Sequence, residues 1–90
     1  MNQNQNARWV QKQPYTLMLL EYRAAADRLL DRITLLRHEL RCVQLCKKHT
    51  RESADAQRNL ERRIDLLRSE YYEITDSMRE IRIYADKERA

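Results

Sequence analysis

Four side chains in the middle of this chain carry ligand chemistry. His38, Cys42, Cys46 and His49 follow one another at intervals of four, four and three, a spacing that keeps them on one face of a helix. Thiolate and imidazole are the donors of tetrahedral zinc sites, and neighbouring members could supply two ligands each. They cannot all share one ion, because the eleven steps from His38 to His49 span ~16 Å of helix. A second chain would have to complete such a site, since the sequence holds no other Cys or His. Cys42 and Cys46 could alternatively act as a thiol sensor. Side chains four apart on a helix project in parallel, however, and a bridge between them would close a trivial loop. The plainer reading is of two small buried thiols and two surface histidines. The residue types favour it, so no metal or cofactor is expected.

A second chemistry is electrostatic. Arg37, Arg41, Lys47, Lys48 and Arg51, with His49 among them and Glu39 against them, could neutralise several phosphates. Binding of that kind is sensitive to salt and indifferent to base sequence. A solvated helix tip accounts for the same residues without a ligand. Tyr71, Tyr72 and Tyr84 could stack on bases, although Tyr71 falls on an apolar stripe described below. Trp9 falls outside both stripes, free to anchor a partner or to fold back with Val10 and Tyr15. The chain has no helix-turn-helix signature, no Gly-rich phosphate loop and no nucleophile set beside a base. It reads as a non-enzyme, with nucleic acid as a secondary partner.

The elements that would position these residues are legible from composition. Ninety residues allow one small domain, and there is no Gly, no Phe and a single Pro, with 36% charged residues. Strand and turn formers are scarce, which predicts an all-α fold of long solvated helices. The longest apolar run, Leu17 to Leu20, is far short of the ~20 residues that span a bilayer. No apolar signal-peptide core precedes Pro14. A cytoplasmic protein with no membrane partner is the expectation. Charge is divided unevenly, +6 over Met1 to Arg51 and −2 over Glu52 to Ala90.

Apolar positions recur at alternating steps of three and four through Leu19, Tyr22, Ala26, Leu29, Ile33, Leu36, Leu40 and Val43. They do so again through Leu60, Ile64, Leu67, Tyr71, Ile74, Met78, Ile81 and Ala85. Each is the heptad stripe of a packed helix. Paired antiparallel, the two stripes match throughout when facing residue numbers add to 100, as in Leu19 with Ile81, Ile33 with Leu67 and Leu36 with Ile64. The same register sets Arg32 against Glu70, Glu39 against Arg63 and Arg37 against Glu61, all opposite in sign. The predicted fold is a two-helix hairpin of coiled-coil type, with an arm over residues 1–13 and the hairpin over 14–88. Its helices run over about 14–47 and 53–87, and the turn lies near 48–52. Thr50 or Ser53 is suited to cap the second helix. The rival, one continuous helix paired with a second chain, obeys the same register. Continuing the first stripe, however, would put Glu61 and Arg68 in the core, which the second stripe avoids.

The stretches LEYRAAADRLLDRI (Leu20 to Ile33) and ERRIDLLRSEYYEITDSMREIRIY (Glu61 to Tyr84) resemble small uncharacterised bacterial proteins built as helical hairpins. These are similar to the N-terminal helical part of phage and mobile-element transcription regulators. The resemblance implies a partner-binding accessory piece without the DNA-binding segment of such regulators, and it assigns no functional residue. A lone hairpin leaves one flank of every core layer wet, and Leu17, Leu20, Leu35, Leu45, Leu66, Tyr72 and Ile83 lie off the seam. They are the candidate surface of a homodimer, most simply a four-helix bundle.

Overall fold

The computed structural model describes residues 13–89. Apart from Gln13, the expected N-terminal arm, Trp9 and Val10 included, lies outside the described residues. Two helices follow, α1 (Pro14–Gln44) and α2 (Arg51–Arg89), joined by residues 45–50. The chain turns back on itself as a hairpin and does not continue as a single helix. Among the described residues there is no strand.

The ends of the helices have local causes. Pro14 opens α1 at the first helical position, where its missing N–H costs nothing. At the other end α1 stops at Gln44, three residues before the expected end. Leu45 N–H still reaches back to Arg41 O at 2.9 Å, but Cys46 N–H bonds to Val43 O at 3.2 Å. This shift from an i−4 to an i−3 partner tightens and closes the last turn. No described residue has a positive φ, so α1 ends without the left-handed residue a glycine would have supplied. Helix α2 starts two residues earlier than expected because Thr50 caps it. Ser53 N–H donates to Thr50 Oγ1 at 3.1 Å and Thr50 N–H donates to Ser53 Oγ at 2.9 Å. This is a reciprocal capping box with serine in the place usually taken by Glu or Gln. The first helical hydrogen bond, Ala54 N–H to Thr50 O at 3.1 Å, closes over it.

The core falls into two clusters, one in each of two compact units. Within residues 27–72, Ile33, Leu36, Leu60 and Ile64 are buried, with Leu40, Val43 and Leu67 packed against them. Three layers of the register, Ile33 with Leu67, Leu36 with Ile64 and Leu40 with Leu60, thus have both members in one cluster. In the unit formed by residues up to Ala26 and from Glu73 onward, Leu19, Ile81 and Ala85 are buried with Tyr22 and Met78 against them. Ala26 is buried, while Leu29, Tyr71 and Ile74 are half-buried. No charged or polar residue is buried among those described.

The three ion pairs expected across the seam do not form. Among the described residues the pairs within 4 Å are Arg58–Asp55, Arg79–Asp76 at 3.7 Å and Arg89–Asp86 at 3.8 Å, all between residues three apart on α2. Arg32, Arg37, Glu39, Glu61, Arg63 and Glu70 are all exposed. Hydration competes well with a pair worth only ~0.2–1 kcal/mol, so apolar matching sets the register and charge does not. Thr50→Ala should lower the unfolding free energy by about 1 kcal/mol, with α2 fraying at its start. Thermal and urea denaturation followed by circular dichroism would measure it.

Candidate interaction surfaces

The side chains with ligand chemistry are not gathered. Cys42 lies on α1, but Cys46 and His49 fall in the connection after Gln44, so the four-four-three spacing does not continue on one helical face. Both thiols are free and exposed, which corrects the expectation of buried cysteines. The reason is position: Cys42 lies on the outer side of α1 and Cys46 beyond its end. His38 and His49 are exposed as well. No group of three or more His, Cys, Asp or Glu side chains is placed to hold a metal among the described residues.

The basic residues Arg37, Arg41, Lys47, Lys48 and Arg51 are all exposed. Arg37, His38 and Arg41, with Thr34 and Gln44, surround one shallow concavity on α1. A neighbouring groove over Leu40 and Ile64 is balanced, with Arg37 and Arg68 against Glu61 and Asp65. Tyr71 packs edge-on against Tyr72, ring centroids 5.9 Å apart. Tyr84 is stacked on Tyr15 at 5.0 Å, and Lys87 Nζ lies 5.6 Å from its ring centre. Two of the three tyrosines considered for base stacking are therefore exposed (Tyr72 and Tyr84), each with one edge or face held by another ring.

The apolar residues off the seam are on the surface. Leu20, Leu35, Leu45, Leu66, Tyr72 and Ile83 are each more than half exposed, while Leu17 is half-buried. Ten large hydrophobic side chains are exposed among the described residues, against eight buried apolar residues of which Ala26 and Ala85 are two. Leu35 and Leu66 are the informative pair. Each directly precedes a seam leucine, Leu36 or Leu67, so in an antiparallel pair both lie on the same flank. Their numbers add to 101, which places them at one level. They are 66% and 61% exposed.

Where the start of α1 meets the end of α2, a residue that sequence reasoning passed over closes the structure. The first turn of α1 contains no acidic residue. Glu88 of α2 supplies one: its Oε1 accepts from Tyr15 N–H at 2.9 Å, and its Oε2 accepts from Thr16 N–H and Thr16 Oγ1–H, both at 3.0 Å. Leu17 N–H bonds to Gln13 O at 3.2 Å. With Pro14 having no N–H to satisfy, every donor of that turn is occupied. Desolvation pushes the Glu88 carboxyl up. The hydrogen bonds from Tyr15 and Thr16 and the charge of Arg89 outweigh it and hold the group below the usual carboxylate range.

No protein-family model, curated protein or solved structure matches this chain.

The signal for Glu88 was present only indirectly, as an acid-free first turn in one helix and a carboxylate 72 residues further on. Because its folded pKa is depressed, the Glu88 contribution to stability is present above the ordinary glutamate pKa. It is lost as pH falls through the lowered folded value. Glu88→Gln should therefore be less stable than wild type at neutral pH, with the difference vanishing in strong acid. Amide exchange at Tyr15 and Thr16 should report the same loss, and a wild-type and variant gap that is independent of pH would refute the assignment.

Proposed function

We propose that this protein is a non-enzymatic interaction module that self-associates through the flank bearing Leu35 and Leu66. The observation that carries the reading is the exposure of two leucines that the antiparallel register assigns to one flank and one level. Single exposed apolar residues are ordinary on any protein surface. A matched pair, one from each helix and on the same flank, is the arrangement by which a second hairpin would extend the core into a four-helix bundle. The small number of buried side chains supports it, because a seam one layer thick leaves much apolar surface wet. No described helix is long and apolar enough to cross a membrane. Sedimentation velocity should give a dimer at low micromolar concentration, and Leu35→Glu with Leu66→Glu should shift it to monomer, weakening association at least about tenfold. A wild-type chain that sediments as a folded monomer at that concentration would refute the proposal.

A second reading, a nucleic-acid-associated protein, draws on the exposed basic residues at the turn and the concavity of Arg37, His38 and Arg41. The two readings separate cleanly. Reversing the charge of Lys47, Lys48 and Arg51 to Glu should abolish retardation of a labelled duplex at ~50 mM salt, where phosphate binding is strongest, and leave sedimentation unchanged. Absence of retardation by the wild-type chain removes this reading.

A further inference from the structure

Beside the seam, where α1 begins and α2 ends, the helices enclose a cleft of about 380 Å³. Leu19 and Leu20 form its apolar part, Arg23 of α1 and Arg82 and Arg89 of α2 line it, and Asp86 is its one carboxylate. Asp86 is already engaged, 3.8 Å from Arg89. Glu88 is committed to the backbone of Tyr15 and Thr16. Arg23 and Arg82 have no ion-pair partner among the described residues. Two helices therefore bring three guanidinium groups to one cleft with a single carboxylate among them, an excess of positive charge that favours an incoming anion. This is not a general property of the seam, since the groove over Leu40 and Ile64 sets two arginines against two carboxylates.

We propose that this cleft binds an acidic amphipathic helix of a protein partner, seating its carboxylates on Arg23 and Arg82 and an apolar side chain on Leu20. Guanidinium groups grip carboxylates through paired hydrogen bonds, which gives geometry as well as charge. Phosphates would meet the same arginines, but a nucleic-acid backbone has no apolar group for Leu20, which is 56% exposed. An acidic helix with Glu and Leu on adjacent stripes uses both halves of the cleft. The site is independent of self-association through Leu35 and Leu66 and stands or falls separately.

The test is fluorescence anisotropy with the full chain and a labelled synthetic helical peptide carrying a Glu stripe beside a Leu stripe. Two analogues replace every Glu by Gln or every Leu by Ala, and oligothymidylate serves as the phosphate probe. The Glu/Leu peptide should bind, and both analogues should bind more weakly. Arg23→Ala with Arg82→Ala should weaken binding at least about tenfold, while Arg28→Ala with Arg62→Ala, an equal loss of charge elsewhere, should leave it unchanged. Arg23→Lys with Arg82→Lys keeps the charge without the paired hydrogen bonds and should fall between wild type and the alanine variant. Circular dichroism confirms that each variant is folded. The proposal is overturned by no binding at about 100 μM peptide, by equal loss in the two alanine variants, or by tighter binding of oligothymidylate with the same dependence on Arg23 and Arg82. Loss of self-association in the Arg23/Arg82 variant would assign the cleft to a second copy of the chain, which also overturns it.

Discussion

In an antiparallel pair of helices, a core side chain can touch only the helix opposite, and both flanks of each layer end at solvent or at another chain. That constraint governs this protein. Its buried set is six leucines and isoleucines, Leu19, Ile33 and Leu36 of α1 and Leu60, Ile64 and Ile81 of α2, with Ala26 and Ala85 completing it. Ala85 is fully buried, so the helices approach closely there, and Tyr22 and Met78 cover the same cluster only in part. With no polar group buried, nothing inside the seam selects a register by hydrogen bonding. Inside the seam the matching of apolar layers does that work, because a shifted register would leave the end layers of each stripe without a partner.

The helix ends impose the next constraint. A helix offers unpaired N–H groups at its start whatever its length, and each needs an acceptor. At the turn the acceptor is local, with Thr50 and Ser53 capping each other's amides and Glu52 in the first turn of α2 suited to the dipole. At the start of α1 it is distant. Glu88 comes from the last turn of α2, next to Lys87 and Arg89, whose charges suit a helix C-terminus. One carboxylate thus satisfies the start of α1 and ties it to the end of α2. The hairpin is fastened by short-range chemistry where the chain reverses and by long-range chemistry where it does not.

This difference explains how far the sequence could be read. The stripes from Leu19 to Val43 and from Leu60 to Ala85 announced the helices and their pairing, because a period near 3.5 depends on residue type alone. Thr50 and Ser53 were both legible as caps, but residue type alone did not say which of them starts the helix, and Thr50 starts it two residues early. The end of α1 was less legible: with no Gly or Pro after Gln44, the closing of the last turn by the Cys46 to Val43 hydrogen bond leaves no mark in residue type. The exposure of Cys42 was concealed because a thiol is small enough for either side of a helix. Glu88 resembled any other acidic residue near a C-terminus, since its role depends on what stands opposite. The charge pairs misled for the opposite reason. Arg32 and Glu70 occupy facing positions, yet long exposed side chains gain little by meeting.

The repeated pattern R-I-x-L-L-R-x-E, at Arg32 to Glu39 and Arg63 to Glu70, joins the seam to the surface. In both copies the isoleucine is buried and the second leucine packs in the seam, with Leu36 buried and Leu67 half-buried. The first leucine of each copy is exposed. The seam does not require it, since a polar residue at Leu35 or Leu66 would leave the layers of Ile33 with Leu67 and Leu36 with Ile64 intact. The antiparallel register then sets the two leucines of a repeat along the chain on one flank and at one level, which neither helix could present alone. A surface of that kind exists only when the hairpin is closed. Whatever docks on Leu35 and Leu66 together therefore recognises the folded hairpin and stabilises it by binding it in preference to the open chain.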